Sequence, residues 1–401
     1  MAHDFSEIEP YRDDQVRAAL LRVVADRQCL DLIGQFLLPR VWRWFAWLLR
    51  PLLHLYLRLQ ARRVNSVLDF QLLVERYLSR LIDTTIDDFT VGGLDTLDIS
   101  KPCLFMSNHR DIALDPALVN FALYHRGGST LRIAIGDNLL SKPFASDLMR
   151  ANKSFIVKRS VSGPRELMKS LKNLSAYIWH SLTHDREHIW IAQREGRAKD
   201  GIDATDAAII KMLTIARPKS QPFSDYVEAL NIVPVSISYQ YDPCDAAKAH
   251  ELRMRAEEGD YEKEEHEDLA SIGQGIAGYK GNVHLQFGAP LHNDYGDADA
   301  VAEAIDRAVA CNYHLHDSNW LAYEWLEGVA HLSESQRARL QSIDTVQRQQ
   351  FQQRMADLPD EETLFALDMY ANPVRRQLTF VATPAVAGVT PSADCDQDGV
   401  G

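Results

Sequence analysis

The stretch Cys103-Leu104-Phe105-Met106-Ser107-Asn108-His109-Arg110-Asp111-Ile112-Ala113-Leu114-Asp115-Pro116 changes from apolar to polar within one residue. Its apolar start, stopped abruptly by Ser and Asn, has the length and bounds of a short buried strand. Asp115-Pro116 then opens a helix over about Ala117 to Tyr124, with the aspartate as cap and the proline at the first helical position. His109 therefore stands at a strand-to-helix junction with two carboxylates, Asp111 and Asp115, close along the chain. An imidazole titrates near neutral pH, and a carboxylate beside it fixes its tautomer and raises its basicity, which is what proton removal from an alcohol requires. A histidine that only hydrogen-bonds a loop has the same local signature, so the decision rests on the other strand ends.

Working outward, further apolar runs bounded by turn residues occur at Leu131–Ile135, Phe155–Val157, Ile189–Ala192, Ile232–Ile237 and Val283–Phe287. Helical patterns separate most of them. From Pro164 to His180, for instance, Leu167, Leu171, Leu174 and Ile178 make one stripe behind a Ser-Gly-Pro start. Strands alternating with helices predict an α/β fold, a mostly parallel sheet flanked by helices, whose ligands gather outside the strand ends. The acid-rich run from Glu251 to Asp268 is expected to be a solvated helix or loop and not a metal site. His314 and His316 are left outside the site, with Asp317 expected to cap a helix from Trp320 to Ala330. Ser333 and Gln336 form a capping box for a helix to about Met355, and a shorter helix follows over Glu361–Met369. Beyond Ala382 almost no large apolar residue remains, which predicts a disordered tail.

With 401 residues, 46% hydrophobic and 25% charged, the chain can bury a full core without staples, and a net charge of −13 argues against nucleic acid as a partner. The five cysteines show no paired spacing, so neither a zinc site nor a disulfide framework is expected, and a reducing compartment fits. His3, Asp4, Glu7 and Glu9 do not make the basic-then-apolar pattern of a signal peptide, which points to the cytoplasm.

The N-terminal part reads differently from the rest. Residues 14 to 38 have helical periodicity that Pro39 ends. From Arg40 to Arg63 there are six arginines, no acidic residue, and Trp42, Trp44, Phe45, Trp47 and Tyr56 among leucines. The arginines recur too often for a bilayer span of about 20 apolar residues. Arginine with tryptophan and leucine is instead the composition of helices lying in the membrane interface, here expected as two helices divided at Pro51. An amphipathic helix over 66 to 86 and a Gly92-Gly93 turn lead into the main domain. Four regions result: 1–88, N-terminal and helical, with the basic aromatic segment 40–63; 89–315, the α/β domain; 316–380, a helical extension; and 381–401, the tail.

Three more stretches fall at strand ends. Asn152 to Arg159 places Lys158 and Arg159 just after a strand, suited to an anionic substrate. In Ile191-Ala192-Gln193-Arg194-Glu195-Gly196-Arg197 a glycine beside a glutamate lets backbone approach a ligand. Ile232-Val233-Pro234-Val235 carries a proline that suits a strand's end better than its middle. In this order the four stretches resemble the blocks of the glycerolphosphate acyltransferase superfamily, the PlsC-like enzymes. That family's first block is a histidine and an aspartate separated by four residues, its second ends in a substrate-binding arginine, its third reads FPEGTRS, and its fourth centres on a proline. His109, Arg159, Glu195-Gly196-Arg197 and Pro234 fall at matching places, and Phe287-Gly288-Ala289-Pro290-Leu291 resembles the strand that closes the domain.

Departures mark a divergent branch. Five residues separate His109 from Asp115, Asn152 stands where the second block has glycine, and Gln193-Arg194 precede Glu195 with no threonine after Gly196.

The resemblance implies transfer of a fatty acyl chain from acyl-CoA or acyl-carrier protein to the hydroxyl of a lysophospholipid, with 1-acylglycerol-3-phosphate the first acceptor to expect, and with no metal and no cofactor. It implies His109 as general base, Asp115 (with Asp111 as competitor) as its orienting carboxylate, and Asn108, Arg110, Lys158, Arg159, Glu195, Gly196, Arg197 and Pro234 as substrate contacts. The acceptor lives in a bilayer, so residues 40–63 would hold the protein peripherally at an anionic membrane surface, on the cytoplasmic face. Glycerol-3-phosphate as acceptor, a non-catalytic lipid-interface scaffold and a hydrolase are the alternatives.

Overall fold

The structure, a computed structural model, describes residues 4–140, 142–259, 261–262, 267–292 and 294–382. Its strands are β1 (Ile86–Gly92), β2 (Leu104–Ser107), β3 (Arg132–Gly136), β4 (Ser154–Val157), β5 (Ile189–Ala192), β6 (Ile232–Tyr239) and β7 (Gly281–Phe287). They form a seven-stranded sheet in the order β1-β7-β6-β2-β5-β3-β4. The pairings β1–β7, β2–β6 and β3–β4 are parallel and β6–β7 is antiparallel. The fold is therefore α/β with a mostly parallel sheet, N-terminal helices and C-terminal helices. β2 and β6 are buried throughout, which is why they read as unbroken apolar runs and not as alternating ones.

The chain divides into two compact units, one of residues 1–80 with 130–189, the other of residues 81–129 with 190–401. In the first, Val16, Leu20, Val24, Ala61, Val64 and Phe70 share a core with Ala151. Asp147, on the helix Pro143–Ala151, receives the Tyr11 hydroxyl at 2.6 Å and Nη2 and Nε of Arg22 at 2.7 and 2.8 Å, so the N-terminal helices are latched to it by charge as well as by packing. In the second, the helices Asp317–Glu327, Glu334–Gln341, Thr345–Ala356 and Asp360–Ala382 enclose their own cluster around Trp320, Phe351, Met355 and Tyr370.

Several expectations need correcting. The 14–38 helix is two, Asp13–Ala25 and Arg27–Leu37, because Asp26 leaves the helix and caps the second by accepting from the Cys29 amide at 2.9 Å. Residues 39–63 form Pro39–Arg63, whose break lies at Phe45 (φ −121°, ψ 18°), while Pro51 is accommodated inside the second arm. β1 had no strand signal: it is a sheet-edge strand whose Asp87, Asp88 and Thr90 break the apolar pattern. Pro234 lies within the central strand β6, not at its end. The antiparallel ladder with β7 begins at Val235, so the proline's missing N–H falls just outside it. Glu251, expected in water, is buried against Lys199 and Arg255. His316, not Asp317, is the cap of its helix. The Ser333–Gln336 capping box is present, but the helix expected to run from it to about Met355 is interrupted after Gln341, with Asp344 capping its second half. The expected tail lies outside the described residues from 383 onward.

Candidate active site

β2 hands the chain to a short strap, Asn108 to Ala113, before the helix Leu114–His125 begins. The strap is held by two carboxylates with separate tasks. Asp111 accepts from the amides of Ala113 and Leu114 at 2.9 and 2.8 Å and so closes the first turn of the helix. Asp115 points back along the strap. Its Oδ2 lies 2.9 Å from His109 Nδ1 and accepts from the amides of Arg110 and Asp111 at 2.6 and 2.9 Å. Its Oδ1 accepts from the Tyr239 hydroxyl at 2.8 Å.

Asp115 is fully buried, so a carboxylate there requires this many donors to remain tolerable, and the backbone donors fix its position against the imidazole. Burial, and then the charge of Asp115, raise the Tyr239 phenol well above its ordinary value, so it stays a hydroxyl and donates. Burial, followed by the nearby Asp115, raises the Asp111 carboxyl above the ordinary aspartate value. With Nδ1 committed to Asp115, Nε2 of His109 is the nitrogen left to accept a proton. Against the ring stands Trp190 of β5, edge-on at 5.7 Å between centroids, its indole N–H donated to Ser107 Oγ at 3.0 Å.

Beneath the histidine is a buried ionic layer. Asn108 donates to the Ile237 carbonyl (2.9 Å) and accepts from the Ile237 amide (2.8 Å), which ties the strap to β6. Arg110 is buried and paired with Asp203 at 2.6 Å, and Lys248 donates to the Arg110 carbonyl at 2.8 Å. Burial works against the Arg110 charge, and Asp203 opposite more than restores it, leaving the guanidinium above its ordinary proton affinity. Both Asn108 and Arg110, expected to touch substrate, are thus turned into the scaffold.

The loop after β5 is brought to this strap. The Gln193 amide donates to the Ser107 carbonyl at 2.8 Å and the Ala198 amide to the His109 carbonyl at 2.9 Å, so Glu195-Gly196-Arg197 forms the bulge between two anchors on the histidine segment. Gly196 has φ +74°, with open space where a Cβ would stand, so its glycine answers a backbone requirement and not crowding. Pro234 pairs with Met106, three residues before His109. The helix Glu267–Ala277 passes so near Asp111 that a Cβ on Gly275 would sit 1.9 Å from its carboxylate.

Lys158 and Arg159 belong to the other unit, after β4. Lys158 is ion-paired with Glu7. The Arg159 amide donates to Asp137 at 3.1 Å, and its guanidinium lies along Gly136 at the end of β3.

Sequence reasoning did not single out Tyr239, Asp203 or Lys248. Tyr239 is the last residue of β6, and only the register of β6 against β2 brings it to Asp115.

Among known proteins, a family model and a solved structure are similar to this chain. No curated protein matches. Among solved structures, the 1-acyl-sn-glycerophosphate (LPA) acyltransferase PlsC from Thermotoga maritima is similar at 16% identity, over 71% of this chain and 93% of that chain, with a TM-score of 0.36. Residues 88–238 match the model of the Acyltransferase family. The His109–Asp115 pair, the Glu195-Gly196-Arg197 bulge and Pro234 all fall inside that match.

Proposed function

We propose that this protein moves a fatty acyl chain from a thioester, acyl-CoA or acyl-carrier protein, to the free hydroxyl of a lysophospholipid, with 1-acylglycerol-3-phosphate as the first acceptor. The observation that carries the reading is the His109–Asp115 pair, whose geometry leaves one imidazole nitrogen free to act as a base. In the proposed reaction Nε2 takes the proton of the acceptor hydroxyl as its oxygen attacks the thioester carbonyl. The carbon–sulfur bond then breaks, and the proton passes from the imidazolium to the departing thiolate. Asp115 stabilises the imidazolium while that charge exists. No enzyme nucleophile is needed, because the acceptor's own oxygen attacks. The roles of Glu195, Gly196 and Arg197 in shaping the acceptor pocket, and of Lys158 and Arg159 in holding its phosphate, follow from the family resemblance.

A helix whose surface suits peripheral membrane association supports this choice of acceptor. No helix among the described residues is long and apolar enough to cross a membrane. Along Pro39–Arg63, Trp44 and Trp47 are 73% and 72% exposed, and Phe45, Leu48, Leu52, Leu55 and Leu59 are exposed with them. Arg40, Arg43, Arg58, Arg62 and Arg63 are exposed on the same helix. Two expectations change here. Trp42 is buried, its N–H donated to Asp31, and Arg50 is ion-paired with Asp31 at 2.6 Å, which leaves five arginines for lipid. Apolar surface of this kind beside cations fits the headgroup boundary, where each arginine contributes about 1 kcal/mol against an anionic leaflet.

One experiment tests both parts. Purified protein is given a labelled acyl thioester and lysophosphatidic acid in anionic vesicles or in neutral ones. The expected result is label in phosphatidic acid, faster on anionic vesicles, with that advantage lost at high salt and in the double variant Trp44→Ala/Trp47→Ala. Thioester consumption that ignores the acceptor would assign a hydrolase instead, and vesicle binding without any transfer would assign a scaffold. Glycerol-3-phosphate supplied in place of the lyso-lipid distinguishes the remaining acceptor.

A further inference from the structure

The helix Pro164–Thr183 ends in a feature that acyl transfer does not use. His180 lies in its last turn, and His184 follows as the C-cap, its amide donated to the His180 carbonyl at 2.9 Å. The next residue, Asp185, folds back so that its amide donates to the same carbonyl at 3.1 Å. One helical turn apart, the two imidazoles stack with centroids 4.3 Å apart and planes 16° from parallel. Both converge on one oxygen: His180 Nε2 is 3.3 Å and His184 Nδ1 is 3.1 Å from Asp185 Oδ1. The three potential ligand atoms all lie within 4.8 Å of one another.

A tetrahedral zinc site with bonds of about 2.0–2.1 Å has ligand atoms about 3.3 Å apart along each edge. The two nitrogen-to-oxygen separations are already those of such edges. We propose that His180, His184 and Asp185 form a binding site for a divalent transition metal of the zinc or nickel class, with two imidazoles, one carboxylate oxygen and the remaining position open to water.

The surroundings favour a cation there. The site sits at the C-terminus of a 20-residue helix, where unpaired carbonyls carry partial negative charge. Asp185 is already oriented by a second contact: Arg132 Nη1 donates to its Oδ2 at 2.8 Å and to Ser181 Oγ at 2.7 Å, which leaves Oδ1 for the metal. That is the outer-layer support a ligating carboxylate needs, although the arginine's charge also weakens the site relative to one held by a neutral donor. The Phe5 ring packs against His180 at 5.5 Å and covers one side. Two imidazoles and a carboxylate suit zinc or nickel and not magnesium, which demands oxygen ligands. Bound metal would lock the end of this helix to β3 through the Asp185–Arg132 contact.

The test uses the full chain stripped with EDTA and dialysed, then titrated with zinc chloride, nickel chloride or magnesium chloride while bound metal is measured by equilibrium dialysis. The expected result is saturable uptake of one zinc or nickel ion per chain, no comparable uptake of magnesium, and a weakening on the order of tenfold or more in either His180→Ala or His184→Ala. The His184 side chain is 75% exposed, so His184→Ala should keep its circular dichroism spectrum and isolate the ligand effect. Absence of saturable zinc or nickel uptake by the parent, or uptake unchanged in both histidine variants, would overturn the assignment.

Discussion

Asp115→Asn is expected to lower acyl-transfer turnover by about 10²–10⁴-fold while leaving the chain folded, and Asp111→Asn to lower it by less than about tenfold. The difference follows from what each carboxylate touches. Asp115 is the one that contacts the imidazole, and it is fully buried with three N–H groups directed at Oδ2 and a hydroxyl at Oδ1. Asparagine can keep its carbonyl oxygen at the Oδ2 position and turn its amide towards Tyr239, whose hydroxyl can rotate to accept. The geometry then survives, but the negative charge that stabilises the imidazolium in the transition state is gone. Asp111 directs its Oδ1 to the Ala113 and Leu114 amides instead, and because asparagine caps as well as aspartate its replacement should change stability by less than about 1 kcal/mol. Steady-state rates of the two variants, with unfolding midpoints measured beside them, separate these outcomes. A larger loss of turnover in Asp111→Asn than in Asp115→Asn would reassign the orienting carboxylate.

Removing the Arg110 side chain should destabilise the fold by about 3–5 kcal/mol, several times what a surface ion pair contributes. Arg110 and Asp203 are both buried and 2.6 Å apart, so Arg110→Ala leaves an uncompensated carboxylate in the interior. Asn108 also donates to Asp203, at 3.2 Å, and the Arg110 carbonyl receives Lys248, so the damage falls on the strap that carries His109. The double variant Arg110→Met/Asp203→Leu, which removes both charges and restores volume, should recover most of the lost stability. Denaturant unfolding of the parent and the two variants reads this directly. A loss below about 1 kcal/mol in Arg110→Ala would show that the pair contributes no more than a solvated one.

What was legible in the sequence follows a physical line. β2 and β6 announced themselves because strands buried on both faces must be apolar without interruption, and the His109 junction was marked by the abrupt change at Ser107 and by Asp115-Pro116, although Asp115 lies inside the helix Leu114–His125 and is not its cap. β1 was not legible, since an edge strand needs no apolar alternation. The Asp26 break was missed because a single capping aspartate inside a periodic run leaves the period intact. At the site, local chemistry pointed to Asp115 and Asp111 equally, and only the fold of the strap shows which one meets the imidazole. Asn108 and Arg110 illustrate the opposite difficulty: polar residues beside a candidate base suggest substrate contacts, yet here they form the layer that supports the base. Tyr239 and Asp203 come from 124 and 93 residues further along the chain, and no local pattern could place them.

In the proposed reaction His109 is the base of the acyl transfer. The most direct test of that role is the initial rate of label transfer from an acyl thioester to lysophosphatidic acid by the parent and by His109→Ala, at saturating substrate and with matched vesicle binding. The parent should transfer the acyl chain and the variant should fall by about 10²–10⁴-fold in turnover with its vesicle binding unchanged. Equal rates in the two proteins would contradict the assignment.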